Sequence, residues 1–359
     1  MTENLVFYAG RKAFEIIREE GLRPDRISVV AGAAGGPKWL VLRHLDRVIF
    51  SDWFKGRELP LFLIGSSIGA WRFAGQCMAD PKASLSDFES AYIHQAYAGK
   101  PSPEAVSRES ARIQQAFLKN RGPREILDHP YLRLNFMAVR SKGPAASDRR
   151  FLLATALLIA ALGNLISRSF LKVFFERTLF YDSRSVPPFF HITGFPIHQV
   201  PLTPENLPLA LLASGSIPLV MSGVRDIPES PSGIYRDGGV IDYHMDIPFS
   251  SESEGLTLFP HYMERIIPGW LDKKLSWRKP GARNMANVLM MAPSRHFIDR
   301  LPYHKIPDRN DFYRFEGKDS QRFAYWSTVA RASQVLADEF MEAVLSGNIR
   351  NRVRSWDFE

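Results

Sequence analysis

A chain of 359 residues with 45% apolar and 23% charged side chains has the balance of a folded globular protein, which excludes a disordered or fibrous one. Its single cysteine, Cys77, excludes intramolecular disulfides and zinc sites built from several cysteines, and as a lone thiol it reads as a small buried apolar group. The net charge of +8 points to anionic partners, either acidic lipid or nucleic acid.

The first residues lack a basic segment followed by a long apolar run, so no signal peptide is expected and the cytoplasm is the expected compartment. Residues 11–20 place apolar groups at helical spacing, with Gly21 as a stop. Residues 27–31 form a β-branched run that predicts a strand. It enters the turn Gly32-Ala33-Ala34-Gly35-Gly36, and Pro37 then suits the first position of a helix over 37–50. Residues 61–64 predict a second buried strand, ending in Gly65-Ser66-Ser67-Ile68-Gly69 ahead of a helix over 70–78. Strand, turn and helix occur twice in succession, which argues for a parallel α/β sheet.

A polar-faced helical stretch is expected over 84–118, a strand over 132–139, and one long apolar helix over 151–180. A short strand within 190–201 and a helix over 204–213 follow. Ile234-Tyr235 leads into Asp237-Gly238-Gly239, and 256–259 and 288–291 are further strand candidates. Residues 322–345 read as one amphipathic helix. No internal repeat or low-complexity linker divides the chain. One domain over 1–359 is expected, with a helical insertion over about 84–185 and a C-terminal extension over about 255–359 of open role.

Gly65-Ser66-Ser67-Ile68-Gly69 fits G-x-S-x-G with Ser67 at its centre. Glycines at its two ends permit a tight strand-to-helix turn that lifts the serine hydroxyl above the sheet, at a helix N-terminus that favours negative charge. The loop Gly32-Ala33-Ala34-Gly35-Gly36-Pro37-Lys38 also joins a strand to a helix. It lacks the Gly-Lys-Ser/Thr of a phosphate loop and the Gly-x-Gly-x-x-Gly of a dinucleotide fold, and it suits a row of N–H donors for an oxyanion. Asp237-Gly238-Gly239 would alone be read as a turn.

Together with Ala213-Ser214…Pro218, these blocks resemble, in residues and order, the patatin-like phospholipase family, over roughly residues 27–250. The resemblance implies a three-layer α/β/α sandwich with a mostly parallel central sheet. It implies Ser67 as nucleophile and Asp237 as its base, with no histidine between them. Gly35, Gly36 and Lys38 would serve the oxyanion, Gly65 and Gly69 the elbow, and Gly238 and Gly239 would support the aspartate. Ala33 and Ala34 stand where the family loop opens with Asp-Gly, Trp39 stands where it ends in glycine, and no Asn-Pro closely follows Asp237-Gly238-Gly239, which marks a divergent member. No metal or organic cofactor is implied.

The expected reaction is hydrolysis of a lipid ester through an acyl-serine intermediate, with partial burial raising the aspartate toward a useful base. The same two residues would serve a carboxylesterase or acyltransferase, and a chain that kept the fold and lost the chemistry would be a lipid-binding protein. A Ser-His-Asp triad is the rival mechanism, because His244, His261, His296 and His304 all follow Asp237, with His244 the nearest.

Two stretches bear on membranes. Residues 151–167 are uncharged, and as a helix would span roughly 25 Å, short of the ~30 Å bilayer core. Arg149, Arg150, Arg168 and Lys172 flank them, which suits an interface helix or a lid, while a buried core helix is the plainer reading. Residues 270–279 place Trp270 and Trp277 beside lysines and an arginine, as at a headgroup layer or in a solvated loop. Peripheral contact with an anionic membrane is therefore expected. No nucleic-acid motif accompanies these basic stretches, so no nucleic-acid partner is expected.

Overall fold

In a computed structural model of the chain, residues 3–119, 122–250 and 255–356 are described. The single-domain expectation over 1–359 also covers 1–2, 120–121, 251–254 and 357–359, which lie outside the described residues. Eleven strands join one sheet among the described residues: β1 (Leu5–Ala9), β2 (Ile27–Gly32), β3 (Leu61–Ser66), β4 (Leu132–Ser141), β5 (Phe175–Tyr181), β6 (Ile197–Pro201), β7 (Val224–Arg225), β8 (Ile234–Asp237), β9 (Leu256–Pro260), β10 (Val288–Pro293) and β11 (Val353–Ser355). The order is β11-β1-β10-β9-β2-β3-β4-β5-β6, with β8 on β4 and β7 on β8. Six of the ten pairings are parallel, so the chain is α/β with a mostly parallel central sheet.

The middle of the sheet is where the sequence is most continuously apolar. β2, β3, β9 and β10 are buried along nearly their whole length, as strands covered on both faces must be. The register of β2 and β3 sets Gly32 beside Gly65, so the two glycine-rich turns leave the sheet side by side.

One edge of β4 carries two partners in succession. β3 runs parallel to it as far as Ser66 opposite Met137, and β8 runs antiparallel from Ile234 opposite Ser141 to Asp237 opposite Ala138. The two strands therefore approach each other head-on, and their C-terminal ends meet.

Several expectations need correction. The helix expected over 151–180 ends early: Arg150–Ile166 is helical, Arg168–Val173 is a 3-10 turn, and the remainder is β5. Ser167 breaks the helix with an extended backbone (φ −153°, ψ 131°) and its hydroxyl accepts from the Ser169 amide. The aromatic residues beyond it then pair with β4 through seven registered positions, a long-range gain that overrides the local pattern. The helical insertion over 84–185 thus supplies two sheet strands, β4 and β5, and the extension over 255–359 completes the sheet with β9, β10 and β11.

The helix expected over 37–50 is a 3-10 turn (Gly36–Leu42), an α-helix (Arg43–Val48) and a π-turn (Ile49–Trp53). The stretch over 84–118 is two helices, Pro81–Ile93 and Pro103–Leu118, split where Gly99 takes φ +70° and two prolines follow. The helix over 322–345 is likewise two, Asp319–Ala332 and Gln334–Leu345. β1 pairs antiparallel with β10 and carried no expectation.

No helix among the described residues is long and apolar enough to cross a membrane. The apolar helix Arg150–Ile166 is divided between two environments. Leu153, Ala156, Leu157 and Ala160 are buried, whereas Phe151, Leu158, Leu162, Leu165 and Ile166 are exposed, Ile166 by 91%. It is neither a plain core helix nor a fully unpartnered one.

Candidate active site

The turn after β3 is sterically specified. A Cβ on Gly65 would lie 2.5 Å from the Ala70 amide nitrogen, and one on Gly69 would lie 2.1 Å from the Gly32 carbonyl oxygen. Both exceed any tolerable overlap, so the turn can close only with glycine at both ends. Between them Ser67 takes φ +55°, ψ −126°, a backbone that costs an ordinary residue about 1–3 kcal/mol. The surroundings enforce it. The Ser67 amide donates to Ser214 Oγ at 2.9 Å, and Ser214 Oγ donates to the Met137 carbonyl at 2.7 Å. Ser214 of the Ala213-Ser214…Pro218 block is therefore the strut beneath the elbow.

Asp237 stands at the end of β8, and its amide donates to the Ser216 carbonyl. Ser67 Oγ donates to Asp237 Oδ2 at 2.7 Å, and the Gly239 amide donates to Oδ1 at 2.7 Å. A Cβ on Gly238 would lie 2.2 Å from the Met137 carbonyl oxygen, so this glycine too is fixed by close backbone approach. Burial pushes the Asp237 carboxyl above its ordinary value, against the lowering effect of the Ser67 and Gly239 hydrogen bonds. That moves the group in the direction a general base requires.

The glycine-rich loop lies across the elbow. Gly36 takes φ +57°, and a Cβ on Gly35 would come within 2.7 Å of the Tyr262 ring. Among the described residues neither the Gly35 nor the Gly36 amide donates to a protein acceptor, and both residues line the same cavity as Ser67. Lys38 also reaches that cavity, with its ammonium 4.8 Å from the centre of the Tyr262 ring.

His244 does not complete a triad. The Ile267 amide donates to its Nδ1 at 2.9 Å, leaving Nε2, 2.7 Å from the Tyr262 hydroxyl, as the donor. Tyr262 in turn donates to the Ala34 carbonyl. His244 thus braces the glycine-rich loop from behind, and burial holds its imidazole well below its usual value. No histidine is among the cavity-lining residues described. Cys77 is fully buried, which pushes its thiol up and leaves it inert.

The cavity holds about 260 Å³. Beyond the expected residues it is walled by Tyr243, Trp270, Lys273, Asp308 and Arg309. The stretch 270–279 is therefore divided: Trp270 and Lys273 face the cavity, while Trp277 is 65% exposed. Arg309 had no sequence signal, because it lies on a loop whose approach to Ser67 depends wholly on the tertiary fold.

The apolar helix is fastened to this wall. From its buried side Asn164 donates to Asp272 Oδ1 at 2.7 Å, and the Gly269 amide donates to Asp272 Oδ2 at 2.9 Å. Arg168 is turned inward, toward Asp272 at 3.4 Å and the Ile241 carbonyl, rather than flanking an exposed face. No protein-family model, curated protein or solved structure matches this chain.

Proposed function

We propose that this chain is a serine acyl hydrolase of the patatin-like kind, cleaving the carboxylic ester bonds of lipids through Ser67 and Asp237. The observation that carries the reading is the 2.7 Å hydrogen bond from Ser67 Oγ to Asp237 Oδ2, made at a strained strand-to-helix turn that opens into a cavity. The order of the four sequence blocks and the mostly parallel sheet support a patatin-like three-layer sandwich.

The chemistry follows from the pair. As Ser67 Oγ attacks the ester carbonyl, its proton passes to Asp237, and the carbonyl oxygen becomes an oxyanion. The free amides of Gly35 and Gly36 supply its hydrogen bonds, and loss of one such donor typically costs about 3 kcal/mol. Collapse expels the alcohol, which takes the proton from Asp237, and leaves acyl-Ser67. Water then attacks the acyl carbon and gives its proton to Asp237. The second collapse releases the acid as Ser67 Oγ regains that proton.

The exposed apolar residues of the helix Arg150–Ile166, with the exposed Arg149 and Arg150 at its start, support a lipid surface as the place of work. A fluorophosphonate probe is expected to label wild type at Ser67 and to leave Ser67→Ala unlabelled. A folded wild type that is neither labelled nor active on p-nitrophenyl butyrate overturns the reading and leaves a lipid-binding chain.

A further inference from the structure

The cavity beside Ser67 carries more positive charge than ester hydrolysis asks for. Three cations from three distant segments line it: Lys38 on the glycine-rich loop, Lys273 after the Trp270 turn, and Arg309 between the β10 strand and the last helices. Among the described residues none of the three makes an ion pair. Of the two carboxylates in the lining, Asp237 is held by Ser67 and the Gly239 amide, and Asp308 is engaged by Lys305 at 3.2 Å and by the Asn310 amide at 2.8 Å. Lys38 and Lys273 rest instead on aromatic faces, Lys273 at 4.1 Å from the Tyr243 ring centre.

Such an arrangement repels itself. Burial, and then the charges of Arg309 and Lys38, bring the Lys273 ammonium down to about 7 against the opposing pull of Asp237 and Asp308. Three cations against the two carboxylates of the lining, Asp237 and Asp308, leave an excess of positive charge that a ligand's anionic group relieves. An arginine fork with two ammonium groups matches an oxoacid, whose several oxygens accept charge-assisted hydrogen bonds together.

We infer that Lys38, Lys273 and Arg309 form a subsite for an anionic oxoacid group, phosphate or carboxylate, carried by the ester substrate close to its scissile bond. The inference rests on the hydrolase reading of Ser67 and Asp237 and narrows it. Lys273 and Arg309 are its specificity-determining residues. Both are only half-buried, so their substitution should leave the chain folded.

The test uses the full chain and two ester pairs that differ only in a phosphate: 1-butyrylglycerol against its 3-phosphate in solution, and didecanoylglycerol against its 3-phosphate in neutral detergent micelles. Wild type is expected to prefer the phosphorylated member by about tenfold or more in kcat/KM. Arg309→Gln and Lys273→Gln are each expected to lower that ratio by about tenfold, chiefly through KM, with Arg309→Lys recovering part of it. A preference seen with the soluble pair assigns the group to small acidic esters, and one confined to micelles assigns it to a lipid headgroup. A ratio near one, or a ratio that neither substitution moves, overturns the subsite.

Binding of inorganic phosphate, followed by calorimetry in wild type and Arg309→Gln, separates the two readings. Phosphate binding that weakens in the variant, without fluorophosphonate labelling of Ser67, sinks the hydrolase and keeps the subsite. Labelling without phosphate binding or preference does the reverse.

Discussion

On the proposed mechanism, replacing Asp237 with asparagine removes the base and little else. The amide oxygen of the substituted side chain can still accept from the Gly239 amide, and its NH2 can donate to Ser67 Oγ across the present 2.7 Å separation. The elbow keeps its shape while the proton loses its destination. General-base assistance is worth about 10²–10⁴ in rate, so kcat/KM on p-nitrophenyl butyrate should fall by that factor, roughly 3–5 kcal/mol of transition-state stabilisation.

Stability should move the other way. Burial raises the Asp237 carboxyl above its unfolded value, so the folded chain binds that proton more tightly than the unfolded chain does. The stability Asp237 contributes is therefore complete below the unfolded pKa and is lost as pH rises through the folded one. At neutral pH asparagine escapes that loss, and Tm should be unchanged or higher. The wild-type rate should fall on the acid side along a limb lying above the ordinary aspartate range, and the limb should vanish in Asp237→Asn. Steady-state kinetics from pH 4 to 9, with calorimetric melting, measures all three. A folded variant that keeps more than about a tenth of the activity with the same acid limb refutes the assignment of the base.

Gly69→Ala drives a methyl to 2.1 Å from the Gly32 carbonyl, so it should cost about 1–3 kcal/mol in denaturant unfolding and suppress probe labelling of Ser67; a stable, fully labelled variant contradicts the close approach. His244→Asn withdraws the brace from Tyr262 and the Ala34 carbonyl, and should lower kcat by less than about tenfold on the folded fraction; a loss as deep as that of Ser67→Ala restores the triad. Ile166→Asp places a charge on the exposed apolar ridge, so activity on anionic vesicles should fall about tenfold more than activity on a soluble ester; equal losses remove the ridge from membrane contact.

What was legible in the sequence was local. Gly65, Gly69 and Gly238 are demanded by backbone contacts at the turns themselves, so the blocks around Ser67 and Asp237 advertise their geometry in the order of residues. Residues 175–181 do not: whether they continue a helix or join the sheet depends on β4, some forty residues earlier, and only that pairing decides it. β1 is settled by β10, nearly the whole chain away. Lys273 and Arg309 meet Lys38 only because the extension closes over the loop, and Arg309 sits in no motif. Ser214 belongs to a block visible in the sequence, but its task beneath Ser67 depends on the β4 carbonyl it rests on.

Because β3 and β8 converge on one edge of β4, the separation of serine and aspartate is quantised by a hydrogen-bond ladder. Side chains alternate faces along a strand, so the smallest slip of β8 that keeps Asp237 on the same face is two residues, a displacement of about 7 Å. No intermediate spacing exists, and gradual drift of the pair is forbidden by the sheet. The segments that wall the cavity are under no such restriction. Trp270, Lys273 and residues 308–310 can be recharged or exchanged around the fixed Asp272 while Ser67 and Asp237 stay where the ladder puts them. If the chain is the proposed hydrolase, selectivity in this architecture is free to diversify by a route that never touches the reaction.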